Sequence, residues 1–157
     1  MAELRVPTVS LPAEVVDSGG RHSTGQVFVP ALAPAHSGAT RPEEWINTGG
    51  EFFPFLPEGT TNPVILNKDQ VVMLAVGAPP DEDEAQEEEG LPRLQVSIEC
   101  GEQRFEGTLL LDLREGHRRV LDYLNRPERF LLLFDGSRRL LVRKHAITRL
   151  HEGPEGG

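Results

Sequence analysis

Residues 94–113 read LQVSIECGEQRFEGTLLLDL, and this stretch decides between the fold classes. From Leu94 to Cys100 apolar and polar residues alternate, the period of a strand with one buried face. Gly101-Glu102 is a two-residue turn, so Arg104 to Leu113 returns alongside as a hairpin. Downstream, GHRRVLDYLN over residues 116–125 puts Val120, Leu121 and Leu124 on one helical face, and Pro127 stops that helix. Phe130 to Phe134 is a short, wholly apolar strand closed by Asp135-Gly136. Leu140 to Val142 and Ala146 to Leu150, with a tight bend at Arg143-Lys144-His145, complete a unit of five short strands and one short helix.

The first half of the chain carries the same pattern. Without a gap, Val16 falls on Ile98, Gly19 on Gly101, Gly25 on Gly107, and Val27-Phe28-Val29 on Leu109-Leu110-Leu111. Trp45-Ile46-Asn47 matches Tyr123-Leu124-Asn125, and Val64-Ile65-Leu66-Asn67-Lys68 matches Leu140-Leu141-Val142-Arg143-Lys144. The order of features is kept, so the expectation is a tandem duplication. The fold class expected is mainly β: two tandem small five-stranded barrel-like units, each with one short helix. Residues 13–78 form the first unit and 93–152 the second.

Between them, PPDEDEAQEEEGLP over residues 79–92 holds seven acids and almost nothing to bury. It reads as a solvated acidic linker. Residues 1–12 read as an extension and 153–157 as a tail. Charge changes sign across the linker: residues 1–92 carry 15 acids and 4 bases, and residues 93–157 carry 10 acids and 12 bases, which together make the net −9 of the 157-residue chain. No apolar run reaches the roughly 18 residues of a membrane span, and the start lacks the apolar stretch of a signal peptide. A single cysteine, Cys100, excludes an internal disulfide and points to a reducing, cytoplasmic home.

The strands, the Arg119, Asp122 and Leu124-Asn125 helix and the closing Val142, Lys144 and Ile147 resemble a small Sm-like or SH3-like barrel, and are similar to uncharacterised bacterial domains of that plan. The first copy keeps Asn47, Lys68 and Val71 at the corresponding places. The resemblance implies a bacterial binding domain. Sm-like families bind uridine-rich RNA through an Asp–Asn loop and a basic loop. Here the spacing from Gly107 departs from that pattern and Lys144 is followed by His145, so the fold carries over and the RNA-binding residues do not.

No chemistry of catalysis can be assembled from the sequence. Cys100 lies beside Glu99 and Glu102, which blunt a thiol. The five histidines form no paired metal-ligand motif, and no glycine-rich phosphate loop is present. The expectation is therefore no enzyme, no cofactor and no metal. Arginine outnumbers lysine 14 to 2, and Arg118, Arg119, Arg138, Arg139, Arg143 and Lys144 cluster in the second unit as a candidate partner-binding patch of planar forks suited to carboxylate or phosphate. With a half that is only +2, an acidic protein surface is preferred over nucleic acid as the partner. The strands Leu109–Leu111 and Phe130–Phe134 do not alternate, so both their faces need cover. The two units packing on each other, a protein partner, or self-association along Phe130–Phe134 would supply it. The function expected is a non-catalytic protein-interaction or scaffold module; the alternative is an Sm-like RNA-binding module.

Overall fold

The computed structural model describes residues 7–34, 36–111 and 120–153. The protein is mainly β. The first half supplies β1 (Thr8–Asp17), β2 (His22–Pro30), α1 (Pro42–Ile46), β3 (Phe52–Pro57), β4 (Val64–Asn67) and β5 (Val71–Gly77). After α2 (Glu82–Glu88), the second half supplies β6 (Arg93–Cys100), β7 (Gln103–Leu110), α3 (Val120–Leu124), β8 (Phe130–Asp135), β9 (Arg138–Arg143) and β10 (Arg149–Glu152). All ten strands join one antiparallel sheet in the order β10-β6-β7-β8-β9-β5-β1-β2-β3-β4. No helix among the described residues is long and apolar enough to cross a membrane.

Each half places its strands in the same order: fifth, first, second, third, fourth. The registers repeat too. Phe53 opposes Leu66 as Leu131 opposes Val142, and Val15 opposes Leu74 as Ile98 opposes Leu150. Correspondence therefore runs at an offset of 78 through the third strands and 76 through the fourth and fifth. In the first strand it differs from the ungapped match: Val15, not Val16, stands where Ile98 stands. The first hairpin turns over Asp17–Arg21, whereas Cys100 pairs directly with Gln103 around Gly101-Glu102. The longer turn absorbs one residue. Gly101, with φ 63°, supplies the left-handed conformation that the tight turn needs.

The expected closure of each half into its own barrel is not found among the described residues. The reason lies in β5. One edge of β5 pairs with β1, and the other is taken by β9 of the second half, with Leu74 opposite Leu141. β4 and β10 are left as the ends of a single open sheet.

That pairing explains the run VVMLAV, buried at every position. Met73 and Ala75 enter a core with Val96, Ile98, Leu131, Leu133, Leu140 and Val142, while Leu74 and Val76 enter a second core with Val15, Val27, Phe53, Phe55, Phe130 and Leu141. A strand covered on both faces has no reason to alternate. Each such aliphatic side chain contributes roughly 1.5–3 kcal/mol by leaving water. The same geometry decides among the expected covers for Phe130–Phe134 in favour of the two halves packing on each other. This strand, β8, is interior to the sheet; Leu131 and Leu133 face one core, and Phe130 with Leu132 faces the other, so its cover comes from the chain itself.

Two further expectations change. β1 begins at Thr8, so the sheet includes residues read as an extension. The acidic segment is not a solvated tether: Asp81 caps α2 by accepting a hydrogen bond from the Glu84 N–H at 2.8 Å, the Glu84 carboxylate returns to the Asp81 N–H, and Glu84 is buried. Residues 112–119 and 154–157, with the start of the expected second helix and most of the tail, lie outside the described residues.

Candidate interaction surface

The residues of the expected basic patch do not gather on one surface. Arg118 and Arg119 lie outside the described residues. Arg138 and Arg139 are consecutive on β9, so they project to opposite faces. Arg138 is exposed and pairs with Asp135 at 3.0 Å. Arg139 is 1% exposed and sits at the meeting point of both halves and α2. Its guanidinium donates to Glu43 at 3.0 Å, to both Glu84 oxygens at 2.6 and 2.7 Å, and to the Ala78 carbonyl at 2.9 Å. Burial opposes its charge, yet Glu84 and Glu43 outweigh burial and hold it protonated. Burial also pushes the Glu43 carboxyl above the usual range, against the pull of Arg139. Arg41, from the first half, holds Asp81, Glu84 and Glu87 of the same acidic segment.

Arg143 donates through Nε to the Val71 carbonyl at 2.8 Å. Lys144 is spent as a helix cap: Nζ donates to the carbonyls of Tyr123 and Arg126 at 2.8 and 3.0 Å. Its counterpart Lys68 does the same below α1, donating to the Thr48 carbonyl at 2.8 Å. Burial lowers the pKa of both lysines. The matched lysines of the repeat are thus structural donors to carbonyls at the helix ends. A groove of about 330 Å³ between α1, α2 and β8 includes Arg41, Arg126 and Lys144 in its lining, all three already engaged with this chain's own acceptors.

Cys100 is buried, and burial pushes its thiol up to about 11, far from the range of a reactive thiolate. The cause is burial in the core with Val96, Ile98 and Leu109 rather than its acidic neighbours. The histidines His22, His36 and His151 each face one glutamate. No group of three metal-ligating side chains is found among the described residues.

The sequence left open whether the halves pack on each other, and Asn47, Glu51 and Asp69, which help to join them, were not among its candidate sites. The Asn47 side chain donates to the Phe130 carbonyl at 3.3 Å and accepts from the Phe130 N–H at 2.8 Å. Arg129 pairs with Glu51 at 2.9 Å and with Asp69. Asn47 was visible in the sequence as a match to Asn125, but its target is 83 positions away.

The junction buries positions whose counterparts stand open at the sheet ends. Phe130, Leu140 and Leu141 are 2%, 3% and 0% exposed; Phe52, Val64 and Ile65, in the same places of the first half, are 58%, 44% and 65% exposed. Leu121 on α3 is also exposed, where the first half has Glu43 on Arg139. Comparison of the chain with protein-family models, curated proteins and solved structures finds no match.

Proposed function

We propose that this protein is a non-catalytic interaction module: two small Sm-like or SH3-like β units in tandem that hold a protein along the open edges of their shared sheet. The observation that carries this reading is the exposure of Phe52, Val64 and Ile65 on β3 and β4, at one end of that sheet. An edge strand offers a row of unpaired N–H and C=O groups, and exposed apolar side chains beside it favour the addition of another strand. The high pKa of the buried Cys100 thiol agrees with a role other than nucleophilic catalysis. The RNA-binding alternative draws on Arg138, Arg139, Arg143 and Lys144; Arg139 and Lys144 are held by this chain's own acceptors and Arg143 gives its Nε to the Val71 carbonyl, which leaves the exposed Arg138 beside Asp135, and it is the less favoured reading.

The test is affinity capture with the tagged full chain and with Ile65→Lys, each with and without ribonuclease. A stoichiometric protein that survives the nuclease and is lost with Ile65→Lys is the expected result. Enrichment of RNA that is indifferent to Ile65→Lys would overturn the reading.

A further inference from the structure

We infer that the open edges pair with each other between copies of this chain, head to tail, β10 of one copy lying antiparallel to β4 of the next. The inference rests on the interaction-module reading and names the partner. Its template is internal. At the junction β5 of the first half pairs with β9 of the second, with Met73 opposite Val142, Leu74 opposite Leu141 and Ala75 opposite Leu140. Carried over by the offset of 76 between the halves, the same pairing sets Arg149 opposite Leu66, Leu150 opposite Ile65 and His151 opposite Val64 of the next copy.

Several features of the ends fit that register. Ile65 and Val64 would be covered as Leu141 and Leu140 already are. Asn125 is exposed on the turn after α3, at the place from which Asn47 clasps the Phe130 backbone; its target would be the backbone of Phe52, itself exposed. Where the internal junction buries Glu43 against Arg139, the external one would set Leu121 beside Pro63, an apolar pair in place of an ionic one. Across the internal junction Arg129 meets Glu51 and Asp69, and the same carry-over would bring Glu51 of the next copy to Arg129 and His145, extending a row of charges in which Arg129 and Glu51 are already paired within each copy. Four of the six large apolar side chains that stand exposed among the described residues, Phe52, Val64, Ile65 and Leu121, lie at these two ends. A heterologous contact of this kind uses a different surface on each copy and so extends beyond a dimer.

The test uses the full chain. Light scattering over a wide concentration range should give masses above a dimer, and Ile65→Lys should weaken assembly by at least roughly tenfold while leaving the unfolding midpoint of the monomer unchanged. The double variant Leu150→Cys/Ile65→Cys should form a covalent ladder on oxidation, and Leu150→Cys/Val64→Cys, with side chains on opposite faces, should form far less. A chain that is monomeric throughout and yields no ladder overturns self-pairing. If that monomer still retains a lysate protein in an Ile65-dependent way, the interaction-module reading stands alone; if it retains none, both fall.

Discussion

The carboxamide of Asn47 holds both backbone groups of Phe130, accepting from its N–H at 2.8 Å and donating to its carbonyl at 3.3 Å, and so ties the end of α1 in the first half to β8 in the second. The side chain stands in for the strand that the Phe130 backbone lacks at this point. Asn47→Ala leaves a partly buried donor and acceptor without partners, a loss of about 1–3 kcal/mol. Denaturant unfolding should register that loss, whereas Asn125→Ala, at an exposed counterpart, should leave the stability of the monomer within about 0.5 kcal/mol.

Removing the Arg139 side chain breaks a buried charge network. Truncation to Ala strips Glu43 of its cation and leaves Glu84 with Arg41 alone, and breaking such a buried network costs about 3–5 kcal/mol. Arg139→Lys should rescue little, because one ammonium cannot reach Glu43, both oxygens of Glu84 and the Ala78 carbonyl in a planar fork. Arg139→Met combined with Glu43→Gln and Glu84→Gln should recover much of the loss in thermal melts. Failure of that triple variant to improve on Arg139→Ala would show that packing, not charge, holds the site.

Gly25 marks the place where β2 passes closest to β3. A Cβ there would stand 2.0 Å from the Leu56 carbonyl oxygen and 2.9 Å from the Phe55 ring, and one at Gly107 would stand 2.9 Å from the Leu133 Cβ. Gly25→Ala should destabilise by about 3 kcal/mol, because the obstacle is backbone that cannot rotate away. Gly107→Ala, against side-chain atoms in part, should cost less in the same unfolding assay.

Acid should loosen α2 before it unfolds the sheet. Burial alone would raise the Asp81 carboxyl, but the Glu84 N–H and Arg41 outweigh it and hold the group below its ordinary 3.8. A depressed carboxyl contributes stability that is present above its ordinary value and lost as pH falls through the lowered one. Amide exchange in α2 should therefore accelerate below about pH 4 while β5 and β9 stay protected. Asp81→Asn keeps a cap acceptor and should remove that dependence at this site.

Much of the architecture was legible from local pattern. The hairpin at Gly101-Glu102 and the strand that begins at Phe130 fall where alternation and turn residues placed them, the repeat located the strand at Val64–Asn67, and α3 ends before Pro127. The α2 cap was also legible, as Asp81 three residues before Glu84, but composition argued more loudly for a solvated run. The one-residue slip in β1 was not legible, because Val15 and Val16 are both buried next to a bulge and neither pattern nor spacing separates them.

By itself the sequence determined what depends on neighbours in the chain: strand period, turn and cap chemistry, and the repeat that sets Lys68 and Lys144 under equivalent helix ends. Tertiary structure alone decided which edges meet. Arg138 and Arg139 read alike in the sequence, yet one faces solvent and the other lies between Glu43 and Glu84, 96 and 55 positions away. The last strand of a half, paired with its own first strand, still has one free edge, and only the packing of two apolar faces selects β9 to fill it. Hydrophobic burial is non-directional, so a chain can state that a face must be covered without stating by what.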